Sequence, residues 1–182
     1  TNEFKPSQAN KHAAGSVEIV TVARFVEKKG LDDALATVKA VSGEYDVCWR
    51  IAGDGPLRDR FESELIERGL TNVVEPLGLV SQEEIQKLLT EADVFLLPSK
   101  RARSGDKEGT PTVLLEAQAA GVPVISTKHA GIPEIVRDGE SGILVPESDP
   151  EALTQALQEF LSNPSRWEEM GQAGRKLVQE KH

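Results

Sequence analysis

Short apolar segments alternate with helical patterns along most of this chain, and this alternation constrains the fold more than any other feature. Most of these segments are continuous apolar runs rather than alternations of apolar and polar residues. Such runs are typical of parallel strands that are covered by helices on both faces. The six segments are SVEIVTVA (16–23), DVCWRIA (46–52), residues 72–77, DVFLLP (93–98), VPVIST (122–127) and SGILVP (141–146). The sequence therefore predicts an α/β fold with a doubly wound, mostly parallel, six-stranded Rossmann-like sheet.

The segments between the strands carry helical spacing and helix-start signals. Apolar residues recur three and four positions apart after residue 30, after residue 56, after residue 84 and after residue 149. Three starts are marked by capping residues: Ser81 with Glu84, Thr110 followed by Pro111, and Asp149 followed by Pro150. A last helix is predicted from about residue 165. We expect RFVEKKG (24–30) to form a polar turn.

Composition narrows the classes of partner. The 182 residues carry 21 basic and 30 acidic side chains, so the net charge is −9, and nonspecific binding to nucleic acid is disfavoured. The lone Cys48 excludes a disulfide framework and a cysteine zinc site. The three histidines are scattered over the chain and do not suggest a metal site.

Two cations follow the first predicted strand. Arg24 and Lys29 lie in ARFVEKKG, and ligands of doubly wound sheets bind outside the carboxyl ends of the strands, near a switch point. Two cations at that position can neutralise a diphosphate, although a solvated turn remains open as an alternative. The Gly53-Asp54-Gly55 turn after the second strand likewise either faces a ligand or is only a structural turn.

Two glutamates lie on either side of a predicted helix start. Glu108 precedes Thr110-Pro111-Thr112 and Glu116 falls within the helix, eight residues later. A helix N-terminus is an anion site, and a carboxylate can accept two sugar hydroxyls. This arrangement points to a ligand that carries both phosphate and hydroxyls, such as a nucleotide sugar. A solvent-facing Glu116 is the alternative.

The basic loop before Glu108 and the turn that contains His129 each allow a functional and a purely structural interpretation. The loop before Glu108 contains Lys100, Arg101, Arg103 and Lys107, which either attract an anion or are simply exposed. His129, in the turn after the fifth strand, is either structural or a ligand contact, and we do not expect it to be a catalytic base.

The chain resembles the donor-binding half of family 4 glycosyltransferases, which are retaining enzymes of the GT-B architecture. The matching segments cover most of residues 17–150 in the family's order. They are VARFVEKKG, IAGDGPLRDRFE, LGLVSQEEI, ADVFLLPS, EGTPTVLLEAQAAGVPVIST and AGIPEIVRDGESGILVP. Within the family, STKHAGIPEIV and the SGDKEGTP loop are most similar to bacterial exopolysaccharide enzymes of the colanic acid and amylovoran type.

The resemblance implies a role for each site residue. Arg24 and Lys29 hold the donor diphosphate, and Glu108 contacts the hydroxyls of the donor sugar. These three are the expected catalytic residues. The expected donor-binding residues are Val80 beside the base, Gly109, Thr110, Thr112 and Val113 through their backbone N–H groups, and Glu116 at the ribose. Many relatives have glycine where this chain has Pro111, which removes one backbone donor.

The resemblance also implies an organisation and a set of partners. Residues 1–16 are a linker, residues 17–182 are the donor-binding domain, and an N-terminal acceptor domain lies outside this chain. The expected donor is a UDP-sugar or GDP-sugar, the acceptor is a glycan or a lipid-linked molecule, and no metal or other cofactor is expected. A cytoplasmic location follows, with peripheral association at the inner face of the membrane left open for the full-length enzyme. We expect this fragment to bind donor weakly and to be inactive without its acceptor domain.

Two other functional classes compete with a transferase domain. A non-catalytic module that binds nucleotide sugars has the same site residues but no acceptor domain. A signalling receiver needs acidic residues at the end of the first strand, and Val22-Ala23-Arg24 offers none.

Overall fold

The computed structural model describes residues 15–109 and 111–181. Within them, strands and helices alternate. The strands are β1 (Val17–Val22), β2 (Val47–Ala52), β3 (Val74–Gly78), β4 (Val94–Leu97), β5 (Val124–Thr127) and β6 (Gly142–Val145). The helices are α1 (Leu31–Ser42), α2 (Arg58–Glu67), α3 (Gln82–Glu91), α4 (Thr112–Ala119), α5 (Ile132–Ile135), α6 (Pro150–Ser162) and α7 (Trp167–Lys181).

The six strands form one sheet in the order β3-β2-β1-β4-β5-β6. Every neighbouring pair is parallel, so the predicted doubly wound, Rossmann-like sheet is confirmed. The chain leaves β1 towards β2 and β3 on one side and later continues from β4 to β6 on the other. The switch point therefore lies between β1 and β4.

The two faces of the sheet carry separate hydrophobic cores. One is built around Trp49 and Phe61 with α1, α2 and α6, and the other lies under α3, α4 and α5. Side chains along one strand alternate between them, as Ile19 and Val20 of β1 do. Both kinds of side chain are buried, which explains why the strands appear in the sequence as continuous apolar runs.

Two of the predicted helix starts are confirmed by hydrogen bonds. Ser81 Oγ accepts from Glu84 N–H at 3.2 Å, and Asp149 Oδ1 accepts from Ala152 N–H at 3.0 Å. The third start differs, because Pro111 is the N-cap of α4 rather than its first helical residue. Thr110, predicted as the cap, lies outside the described residues, as does most of the predicted 1–16 linker.

The predicted polar turn after β1 contains a short 3-10 helix, Glu27–Lys29. Gly30 follows it with φ 67°, and a Cβ at Gly30 would lie 2.0 Å from the carbonyl oxygen of Pro98. Glycine is therefore required where the segment after β1 crosses the end of β4.

Candidate functional site

The crevice at the switch point contains a cation from one loop and a carboxylate from the other. Lys29 Nζ donates to both carboxylate oxygens of Glu108, each at 2.8 Å. The Glu108 side chain is 4% exposed and that of Lys29 is 17% exposed. An ion pair this enclosed places two charges at fixed positions beside the carboxyl ends of β1 and β4.

A second lysine takes part in this cluster. Lys28 Nζ lies 3.4 Å from Asp106 and 3.9 Å from Glu108. Lys28 is not among the site residues expected from the sequence. The short 3-10 helix contains both lysines, and both ammonium groups lie within 4 Å of Glu108.

The loop between β4 and α4 is anchored by its own basic residues. Lys100 Nζ donates to Asp32 at 2.9 Å and to Asp33 at 3.3 Å, and Arg103 N–H donates to Glu27 at 2.8 Å. Burial alone would lower the pKa of Lys100, but the hydrogen bonds and charges of the two aspartates outweigh it and raise the pKa. Lys100 is therefore committed to holding the loop and is not a free anion-binding cation.

The backbone of Glu108 is held from the opposite side by His129. Glu108 N–H donates to His129 Nε2 at 3.1 Å, and the imidazole is buried. Its Nδ1 is hydrogen-bonded to Glu147 Oε2, and Glu147 Oε1 accepts from Arg101 N–H at 3.3 Å. Burial alone would raise the pKa of Glu147, but the hydrogen bond with His129 leads the interactions that lower it.

Sequence reasoning missed Glu147 altogether. Glu147 follows β6, and its position at the carboxyl end of a predicted strand was the available signal.

Arg24 and Val80 line a second part of the crevice. A groove of about 250 Å³ lies at the carboxyl ends of β1, β2 and β3, and its walls include Arg24, Asp54, Leu79 and Val80. Arg24 is exposed, and its guanidinium forms no hydrogen bond or ion pair with any residue that the structure describes. Arg24 is therefore available to a ligand.

The glycines after β2 are explained by packing. A Cβ on Gly53 would lie 1.8 Å from the carbonyl oxygen of Ala23, and one on Gly55 would lie 2.7 Å from that of Phe25. Glycine is therefore needed at both positions, because the turn after β2 packs directly against the backbone that follows β1. Asp54 caps the turn through Gly55 N–H at 2.8 Å and still lines the groove.

Among the residues that the structure describes, the start of α4 is open, because no side chain caps it. Gly109 and Thr112 are exposed, and Val113 and Glu116 are half-buried. The first N–H groups of a helix lack intrahelical acceptors and carry partial positive charge. Glu116 has no side-chain hydrogen bond or ion pair within the described ranges, so the structure does not join it directly to Lys29 and Glu108.

Residues 15–109 and 111–181 lack two kinds of feature. They contain no group of three or more histidine, cysteine or acidic side chains that could hold a metal. No helix among them is long and apolar enough to cross a membrane.

A doubly wound parallel sheet with fixed charges at its switch point defines a class of α/β domains that bind ligands at the carboxyl edge. Comparison with known families narrows this class. Residues 3–177 match the family described as "Glycosyl transferases group 1", and the chain belongs to that family.

Curated relatives of high identity come from exopolysaccharide systems. The chain is 45% identical over 152 residues to a putative colanic acid biosynthesis glycosyltransferase of Escherichia coli, covering 82% of this chain and 37% of the relative. It is 42% identical over 144 residues to an amylovoran biosynthesis glycosyltransferase of Erwinia amylovora, covering 78% of this chain and 35% of that relative. The resemblance to these enzymes is confirmed. The chain spans little more than a third of the length of these relatives.

Solved structures share the fold. Sucrose-phosphate synthase of Thermosynechococcus elongatus superposes with a TM-score of 0.83 at 27% identity, covering 99% of this chain and 46% of that one. The C-terminal domain of a group 1 glycosyl transferase from Francisella tularensis superposes with a TM-score of 0.82 at 22% identity, covering 98% of this chain and 95% of that one. Anabaena HepE, solved in complex with UDP and glucose, superposes with a TM-score of 0.85 at 19% identity, covering 99% of this chain and 50% of that one. The chain therefore has the fold of one half of a GT-B glycosyltransferase.

Proposed function

We propose that residues 17–182 are the donor-binding domain of a retaining glycosyltransferase that takes a nucleotide-diphosphate sugar as donor and acts in polysaccharide biosynthesis. The observation that carries the proposal is the Lys29–Glu108 ion pair across the switch point, beside the available Arg24 and the open start of α4. The relatives' names support the class of product, and the UDP and glucose bound by HepE support the class of donor.

In this proposal the cations hold the diphosphate. Glu108 takes up two of the three N–H donors of the Lys29 ammonium, which leaves one for a phosphate oxygen. Arg24 supplies a second, planar donor set suited to phosphate. Because these donors are already in place, they stabilise the charge that develops on the departing diphosphate. Transfer with retention then follows with the leaving and attacking groups on one face of the sugar.

The donor's other groups have separate contacts. Val80 lies beside the base, Glu116 accepts the ribose hydroxyls, and the N–H groups at the start of α4 meet the phosphate and the sugar. Glu108 grips the hydroxyls of the donor sugar through the lone pairs that Lys29 leaves free. No metal is needed in this scheme.

Binding of nucleotide sugars tests the proposal directly. Calorimetry with UDP-, GDP- and ADP-sugars should show binding of at least one of them, and Arg24→Ala should weaken it about tenfold, as expected for loss of a charge-assisted hydrogen bond. Arg103→Ala is the matched control, because Arg103 is 97% exposed on the neighbouring loop and should leave the affinity unchanged. Absence of binding by every nucleotide sugar and by the free nucleoside diphosphates would refute the proposed donor site.

A further inference from the structure

The His129 imidazole connects two loops at the carboxyl edge and has no nitrogen left for a substrate. Its Nε2 accepts the Glu108 N–H at 3.1 Å, and its Nδ1 is bonded to Glu147 Oε2. The ring is buried. It therefore touches the proposed donor site only through the backbone of Glu108.

These contacts determine the protonation state of the ring. A backbone N–H can only donate, so Nε2 must carry a lone pair, and the single proton of a neutral imidazole lies on Nδ1. That proton points at the Glu147 carboxylate, which accepts it. Glu147 also accepts the Arg101 N–H at 3.3 Å, so one carboxylate fixes the start of the loop directly and its end through His129.

Glu108 is consequently held at two points. Lys29 fixes its carboxylate, and His129 fixes its main chain from the side of β5. Without the imidazole, the Glu108 N–H would be buried without an acceptor, which costs free energy in the folded state and favours another backbone conformation. The carboxylate would then no longer be presented to the switch point in one orientation.

We infer that His129, oriented by Glu147, is a positioning residue that holds Glu108 in the geometry needed to grip the donor sugar. The inference rests on the proposed function only in giving Glu108 that grip. A proton added at Nε2 would place an N–H against the Glu108 N–H, so the device works with the neutral ring.

A pair of amide variants tests this role. In His129→Gln the side-chain oxygen reaches the position of Nε2 and can still accept from Glu108 N–H, whereas His129→Asn is one methylene shorter and cannot. The probes are UDP-glucose against UDP and GDP-mannose against GDP, bound to the full chain. We expect His129→Asn to lower the affinity for the sugar nucleotide about tenfold. Its affinity for the matching diphosphate should stay within about twofold of the wild-type value. His129→Gln should bind both ligands as the wild type does.

A purely structural role would weaken both ligands together in His129→Asn, and that result would overturn the inference.

Amide hydrogen exchange separates this inference from the proposed function. The Glu108 N–H should exchange slowly in the wild type and in His129→Gln and much faster in His129→Asn, whether or not any nucleotide binds. If the chain binds no nucleotide sugar but shows this pattern, the proposed function fails and the positioning role survives. Equal exchange rates in all three proteins would refute the positioning role itself.

Discussion

Individual residues at the crevice are fixed by partners that lie far away in the sequence. Glu108 takes its side-chain partner from the segment after β1, 79 residues earlier, and its backbone partner from the turn after β5, 21 residues later. Each contact satisfies a polar group that would otherwise be buried alone. Glu108 is therefore held in place by polar partners from two separate segments.

The Lys29–Glu108 pair gives a stability prediction. Lys29→Met leaves a carboxylate that is 4% exposed without its principal cation, and we expect the free energy of unfolding to fall by roughly 3 kcal/mol. Lys28→Met is the matched control, because Lys28 is 27% exposed and 3.9 Å from Glu108, and it should cost less than about 1 kcal/mol. Chemical denaturation followed by circular dichroism measures both. Equal losses in the two variants would contradict this assignment.

Glu147 gives a pH prediction. Its pKa is lowered from 4.5, so the folded state favours the ionised form, and its contribution to stability is present above that value. The contribution is lost as the pH falls through the lowered pKa. Glu147→Gln should therefore lower the melting temperature at neutral pH and reduce its decline over the acid range. Melting curves at a series of pH values check this, with exposed Glu140→Gln as the control. Parallel profiles for wild type and Glu147→Gln would count against it.

At the scale of elements, the helices differ in whether a side chain caps their first turn. α3 and α6 begin with side-chain caps, whereas α4 begins at Pro111 without one. The starts of α1, α2 and α5 also carry no side-chain cap among the described residues. The other end of α4 is closed by contact with α7, where a Cβ on Gly171 would lie 2.0 Å from the carbonyl oxygen of Gly121.

That contact predicts a packing defect. Gly171→Ala places a methyl group against a backbone carbonyl, so α7 must move away from α4, and we expect a loss of about 1–3 kcal/mol in unfolding free energy. Gly43→Ala is the matched control, because nothing lies within 4 Å of its added Cβ and its φ is −77°. It should be neutral or slightly stabilising. The two variants can be compared by thermal and denaturant unfolding, and similar stability would show that α7 does not approach α4 this closely.

At the scale of the whole molecule, the sheet brings the loops after β1, β4, β5 and β6 to one edge, and the proposed acceptor-binding half is not part of these residues. The chain spans little more than a third of the curated relatives. Under the proposed function, this chain binds the donor, and we propose that another part of a longer polypeptide binds the acceptor.

A transfer assay tests that division. We expect the chain alone to bind its donor and to produce no glycosylated product, and we expect transfer when the same residues are expressed within a full-length polypeptide that includes an acceptor domain. Arg24→Ala in that longer protein should reduce transfer by about tenfold or more. Sugar transfer by the purified 182-residue chain would refute the division of labour. A longer protein that binds donor but never transfers would favour a non-catalytic binding module.

The sequence by itself determined the class of fold and the edge of the sheet where polar residues collect. Continuous apolar strands required a sheet covered on both faces, and the polar residues after the strands had to meet at one edge because parallel strands share their carboxyl ends. Arg24, Lys29 and Glu108 follow from that reasoning and from the family resemblance. The caps at Ser81 and Asp149 were predictable because they depend only on neighbouring residues.

Only the tertiary structure decided which charged groups are paired. Lys29 is bound to Glu108, Lys100 is committed to Asp32 and Asp33, and Arg24 stays available. The same structure joined His129 to Glu147 and to the backbone of Glu108. The physical reason is distance along the chain: hydrogen bonds between loops depend on strand order and on the angle at which each loop leaves the sheet, and local sequence patterns encode neither.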